Sequence, residues 1–225
     1  MPALRTYQHL AFQVVAIALL SLGVLPARAD LSRPAAGTGT SGAGAGVQTA
    51  IFAGGCFWGV DAVFKHVRGV VDVDSGYAGG SEADARYQFV SSGGTGHAES
   101  VRIRFDPAQV SYQQLLQVFF AVAHDPTQLN RQGPDVGSQY RSAVFYLSEA
   151  QRDRALAYVR TLTDAHVYTK PIVTQIVPLQ NFYRAEAYHQ NYLALHPRQP
   201  YIVINDLPKL EQLRKQFPAL YTPYK

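Results

Sequence analysis

The chain has 225 residues, 47% of them hydrophobic and 16% charged, and carries a formal net charge of +4. Its basic residues are scattered among acids, which argues against a nucleic-acid-binding stripe. With one cysteine no internal disulfide can form, so the core alone must hold the fold.

Residues 1–29 have the layout of a cleavable secretory signal. Arg5 precedes an apolar run from Leu10 to Leu25, broken only by Gln13, Ser21 and Gly23, and Pro26-Ala27-Arg28-Ala29 ends it in small-x-small fashion before Asp30. Cleavage after Ala29 and export to a periplasm are expected; an uncleaved anchor is the alternative, although the run is short for a full span. Residues 30–47, rich in Gly, Ala, Ser and Thr, read as a flexible linker. Loss of the signal removes Arg5 and Arg28 and lowers the formal charge by two. The rest, 48–225 or about 178 residues, suits one domain with a substantial core and shows no internal repeat.

That domain opens with a strand at Gln48–Ala53. A paired-glycine turn follows, then a helix whose Phe57, Val60, Phe64 and Val67 share one face. Cys56 falls in the first turn of that helix, where free N–H groups and the helix dipole favour a thiolate; a lowered thiol pKa is expected. The competing reading makes Cys56 a small buried hydrophobe and Phe57 and Trp58 core rings. A second strand is expected over Gly69–Tyr77, with Val71, Val73, Ser75 and Tyr77 on one face. A weakly patterned segment lies at Tyr87–Val90. In Ala98–Phe105 the alternation turns Val101, Ile103 and Phe105 inward, and Glu99 shares their parity. A carboxyl there loses solvation, its pKa rises, and it becomes a candidate general acid; a frayed strand entrance open to water is the alternative.

Further on, Ser111 caps a helix ending near His124, and Asp125–Gly137 forms a long polar loop of the kind that is more often functional than passive. Strands are expected at Gln139–Leu147 and Lys170–Leu179, and helices after Ser148 and over Phe182–Leu195. Leu207–Phe217 reads as a short surface helix before a Tyr/Pro-rich tail. The alternation implies an α+β fold with helices packed on a mixed sheet.

Gly55-Cys56-Phe57-Trp58-Gly59 resembles the signature of the A-type peptide methionine sulfoxide reductases. The same family is matched by Gly76–Gly80, Thr95–Glu99, His124–Thr127 with Asn130–Ser142, and Ala185–Leu193. The resemblance spans roughly residues 49–197. It implies a two-layer, ferredoxin-like sandwich and reduction of the S-epimer of methionine sulfoxide, free or in proteins. It also implies that Cys56 attacks the sulfoxide sulfur, Glu99 protonates its oxygen, Tyr77 and Tyr140 hydrogen-bond that oxygen, Asp135 holds the polar side, and Phe57 and Trp58 enclose the methyl group. The chemistry is coherent, because a sulfoxide sulfur becomes electrophilic only as its oxygen gains a proton.

Departures from the family pattern bear on recycling. Ser91 and Ser92 occupy a region where the family often has a cysteine, the tail lacks resolving cysteines, and Ser81–Gln88 match poorly. No bound cofactor is expected; the reductant would be an external thiol from a thioredoxin-like protein, a glutaredoxin or a dithiol, acting on a monomer. Glu186 and His189, three apart, fit a supporting hydrogen-bond role better than a metal pair, which would need a second such pair. Two other functions compete: a Cys–His hydrolase or acyltransferase with His97 or His189 as base, and a non-catalytic binding module for methionine sulfoxide or apolar peptides.

Overall fold

In a computed structural model the described residues are 46–223; the expected signal and nearly all of the linker lie outside them. The chain runs through β1 (Gln48–Gly54), α1 (Phe57–Lys65), β2 (Val70–Ala78), α2 (Tyr87–Val90), β3 (Ala98–Phe105) and α3 (Tyr112–Val118). It continues through a small hairpin, β4 (Arg131–Gln132) and β5 (Asp135–Val136), then β6 (Ser142–Tyr146) and α4 (Glu149–Asp164). The last elements are β7 (Gln175–Pro178), β8 (Phe182–Arg184), α5 (Tyr192–Leu195) and α6 (Leu207–Gln216). The main sheet has the order β7-β6-β1-β3-β2-β8 and is antiparallel except for β6 with β7. The α+β expectation therefore holds.

Why β1 reads as an unbroken apolar run is now plain: both of its faces are covered. Ala50 and Phe52 face the helices and pack with Val60 and Phe64 of α1, Leu115 and Phe119 of the α3 segment and Tyr158 of α4. Ile51 and Ala53 face the other way, into a smaller cluster with Ala78, Ala98, Ala143 and Phe145. Phe52 stacks on Phe119 with ring centres 4.7 Å apart. Truncating such a buried ring to alanine costs about 3–5 kcal/mol. Ser111 caps α3 in a reciprocal box with Gln114, as its position suggests. Beyond Val118 the helix widens into a π turn at Phe119–Ala123, which delivers His124 to the sheet.

Three expectations are corrected. The strand register shifts between Val70 and Asp72, so Val71 is 57% exposed instead of sharing the buried face of Tyr77. Phe182–Leu195 is not one helix: it holds β8, a single 3₁₀ turn at Ala187–His189 and the short α5. The Gln190 side chain explains this, since its amide bonds both backbone groups of Ser75 and the carbonyl of Ala185, tying the segment to β2 in place of a helical ladder. Nor is the C-terminal helix merely a surface element. Leu213 and Phe217 enter the main core and Asp206, just before α6, is fully buried.

Candidate active site

Everything in the site hangs on the start of α1. Gly55 takes φ +94°, and a side chain there would collide with Gln132 of the long loop, so glycine is required on both counts. Cys56 follows as the N-cap of α1 and is 8% exposed. Glu99, 2% exposed on β3, reaches the same helix end and accepts the Phe57 N–H at 3.0 Å through Oε2. Two acidic groups, thiol and carboxyl, thus share one helix N-terminus.

Their ionisation follows from burial. Desolvation raises the Glu99 carboxyl to about 8; its bond to the Phe57 N–H only partly offsets this, and the nearby Asp135 charge adds to the rise. Near neutral pH it holds its proton. Burial also pushes the Cys56 thiol well up, with Glu99 and Asp206 reinforcing the effect, against the pull of the Trp58 N–H and Lys209. The lowered thiol pKa expected from the helix start is therefore not found. The dipole is present, but it is outweighed by desolvation and by two carboxyls facing the sulfur.

Aromatic rings wall the apolar side. Trp58 lies flat against Tyr192, with ring centres 3.7 Å apart and 5° between planes, and meets the edge of Tyr201 at 6.0 Å. Its indole N–H donates to His189 Nδ1 at 3.1 Å, so His189 fixes the indole's orientation and presents its other nitrogen as N–H. Phe57 is buried against Tyr77 and His189. On the polar side, the loop hairpin places Asp135 where Tyr201 donates to its Oδ2 at 2.5 Å.

Not all of the expected residues meet in the same way. Cys56, Glu99, Phe57, Trp58, Asp135 and Tyr140 surround one place. Tyr77 is fully buried and donates its hydroxyl proton to Glu186 Oε2 at 2.8 Å, so the structure gives that proton a protein partner in place of a substrate oxygen. The same Glu186 accepts the Tyr87 N–H at 2.9 Å through Oε1. Glu186 thus holds Tyr77 and the start of α2, and His189 holds the Trp58 indole. Among the described residues no cluster of three or more His, Cys, Asp or Glu is arranged to hold a metal ion.

Tyr87 was missed. It starts α2, and its phenol pKa is raised first by burial and then by Glu99, Cys56 and Asp135, whose nearness puts it inside the site. The Tyr140 phenol feels the same groups. The only sequence signal for Tyr87 was a tyrosine at the start of a segment without clear pattern. Tyr201, Asp206 and Lys209 were missed as well, since they come from the C-terminal region. His97 has both ring nitrogens engaged, one by the Gly80 N–H and one on the Ser81 carbonyl, which leaves no nitrogen to serve Cys56 as a base.

This constellation of a buried thiol, a protonated carboxyl, phenol donors and an aromatic wall agrees with comparisons to known proteins. A family model described as peptide methionine sulfoxide reductase matches residues 48–220. A peptide methionine sulfoxide reductase MsrA 2 from Mesorhizobium japonicum is 57% identical over 177 residues, 79% of this chain and 91% of that protein. A Thermus thermophilus MsrA is 51% identical over 176 residues, 78% of this chain and 98% of its own length. Among solved structures, reduced Mxr1 from Saccharomyces cerevisiae superposes with a TM-score of 0.62 at 34% identity, covering 68% of this chain and 87% of that one. Methionine sulfoxide reductase A of Corynebacterium diphtheriae gives 0.60 at 35% identity, covering 68% and 77%. The chain belongs to the peptide methionine sulfoxide reductase family.

Proposed function

We propose that this thiol-dependent methionine sulfoxide reductase takes the S-epimer, free or in proteins, with Cys56 as nucleophile and Glu99 as acid. The observation that carries this reading is a carboxyl buried enough to stay protonated at neutral pH, sharing a helix end with the chain's one thiol. The sulfoxide oxygen takes the Glu99 proton while the Cys56 sulfur bonds to the sulfoxide sulfur. The thiol proton returns to Glu99; the original S–O bond and the transient S–S bond then break as the hydroxyl passes to the Cys56 sulfur, which releases methionine and leaves Cys56 as a sulfenic acid. Methionine sulfur is reduced by two electrons and Cys56 is oxidised by two.

The phenols of Tyr87 and Tyr140 have no hydrogen-bond partner among the described residues, which supports them as donors to the oxygen. Tyr77 supports the site through Glu186. Phe57 and Trp58, backed by Tyr192 and Tyr201, favour an apolar seat for the methyl group, and Asp135 steadies its edge through Tyr201. With donors on one side and rings on the other, the two sulfoxide epimers cannot both place oxygen and methyl correctly.

Resolution falls to an external thiol, from a thioredoxin-like protein, a glutaredoxin or a dithiol, because the chain contains no second cysteine. The order β6-β1-β3-β2, joined through α1 and α3, supports the ferredoxin-like description. The sequence of residues 1–47 supports export to a periplasm, with cleavage after Ala29 and a flexible linker ahead of a domain beginning at residue 48.

A single-turnover experiment tests the chemistry. In thiol-free buffer the enzyme should release about one methionine per site from the S-epimer and none from the R-epimer, leaving the Cys56 peptide one oxygen heavier. Sustained turnover without thiol, or equal use of both epimers, would overturn it.

A further inference from the structure

Beneath Cys56 lies an ion pair with no part in the chemistry above. Asp206 is 0% exposed and accepts from Lys209 Nζ at 3.1 Å through Oδ1, while its Oδ2 is buried without a partner. The Lys209 side chain is only 18% exposed. Both groups press on Gly59: a side chain there would run into the Asp206 carboxylate and stand 2.7 Å from the Lys209 ammonium. Gly59 is three residues after Cys56, so the pair lies against the first turn of α1 on the face that carries the sulfur. A buried pair with an unsatisfied carboxylate oxygen is a poor source of stability, which makes a purely structural purpose the weaker account.

The charges around the sulfur give the pair a purpose. Glu99 faces Cys56 from β3, Asp206 and Lys209 from the start of α6, Tyr87 from α2, Tyr140 from the turn before β6, and Tyr201 from the segment before α6. Asp135 lies across the site from Glu99, on the β4–β5 hairpin. His124, next to Lys209, is held neutral by burial with a pKa of about 4, and burial also keeps His189 neutral. Among these groups Lys209 supplies the one ammonium.

We propose that Lys209, clamped by Asp206 against the first turn of α1, is a positioning residue that balances the negative charge on the Cys56 sulfur whenever that sulfur acts as a thiolate. This rests on Cys56 being the reactive sulfur, and it applies twice per cycle. The first occasion is the attack on the sulfoxide. The second follows resolution, in which a donor thiol bonds to Cys56 and the sulfenic oxygen leaves as water. A second donor thiol then attacks the donor's own sulfur, its disulfide forms, and Cys56 departs as thiolate, later taking up a proton. Faster departure follows from better stabilisation of that anion.

The two members of the pair push the sulfur in opposite directions, which gives the test its sign. The rate of Cys56 alkylation by iodoacetamide is followed against pH in the mature protein, in wild-type and Glu99→Gln backgrounds so that Glu99 titration does not mimic the effect. Lys209→Met should move the midpoint up by about one pH unit and slow alkylation at pH 8 about tenfold. Asp206→Asn, whose amide oxygen still accepts from Lys209, should move the midpoint down and speed alkylation. Lys209→Arg should stay near wild type. A folded Lys209→Met with an unchanged midpoint, or both charge-removing variants moving the same way, overturns the proposal. Cys56→Ser separates this from the underlying reading: retained reductase turnover there condemns the nucleophile, whereas an inactive Cys56→Ser beside an unshifted Lys209→Met condemns only the role of Lys209.

Discussion

Two glutamates in this enzyme sit at helix starts, and they ionise in opposite directions. Glu99 accepts the first N–H of α1, Glu186 the first N–H of α2. Desolvation raises both. At Glu99 only the single Phe57 N–H answers it, and the neighbouring charge of Asp135 has the wrong sign, so the carboxyl settles at about 8. At Glu186 the desolvation is overcome by the Tyr87 N–H, its own N–H and the Tyr77 hydroxyl, leaving the carboxyl below its usual range. The contrast lies in the number of donors for the degree of burial. With one donor a fully buried carboxyl becomes an acid; with several and a wetter edge it becomes a permanent anion that anchors Tyr77 and α2.

The largest expected effect comes from removing the proton of the first glutamate. Glu99→Gln should slow sulfenic acid formation in stopped flow by about 10²–10⁴-fold while leaving substrate affinity largely intact. An unaffected rate would mean that another group is the acid. Glu186→Gln, by contrast, should leave most of the chemical rate and lower stability by about 1–3 kcal/mol, because charge-assisted bonds to Tyr77 and Tyr87 become ordinary ones. Chemical denaturation checks it. If Glu186→Gln lost as much rate as Glu99→Gln, the division between acid and anchor would fail.

The pH dependence sharpens the same comparison. Wild-type kcat/KM should fall as pH rises through about 8, where Glu99 loses its proton, and Glu99→Gln should lack that limb. Stability follows the same proton. The folded carboxyl still holds it between about 4.5 and about 8, where the unfolded one has lost it, so stability declines as pH rises across that window. Asp61, raised by burial from 3.8 to about 7 despite Lys65, adds a decline of the same sign at slightly lower pH. Glu99→Gln should therefore flatten the stability profile without levelling it, and at pH 8 should be more stable than wild type. Thermal melts from pH 5 to 8.5 decide; a steeper decline in the variant would contradict the assignment.

The smallest effect separates the phenols. Tyr87→Phe should lower kcat/KM about tenfold by removing a donor to the oxygen, whereas Tyr77→Phe should act mainly on stability, by about 1 kcal/mol. Steady-state kinetics and melts on the two variants, side by side, distinguish substrate contact from scaffold.

Most of the candidate site was legible because it is local. The Gly-Gly turn, Cys56 at the start of a periodic helix and the inward parity of Glu99 are properties of short segments, where spacing alone sets which side chains share a face. Tyr87 was illegible because nothing in Ser81–Gln88 repeats; its place comes from Glu186, 99 residues away, capturing its backbone N–H. Phe182–Leu195 was misread for a related reason, since Gln190 trades a helical ladder for bonds to Ser75.

By itself the sequence determined the chemistry available: one thiol, no partner cysteine, and an acid aimed inward from a strand. Those follow from composition and two-residue parity, which hold whatever the chain later packs against. Only the tertiary structure decided the ionisation of that chemistry. The helix start predicted a lowered thiol, yet burial under the aromatic wall and the approach of Glu99 and Asp206 raise it. Local dipoles act over a turn and can be read in order along the chain. Desolvation and the charges that oppose or favour a thiolate come from β3 and α6, distant in sequence, and exist only once the core has closed around the sulfur.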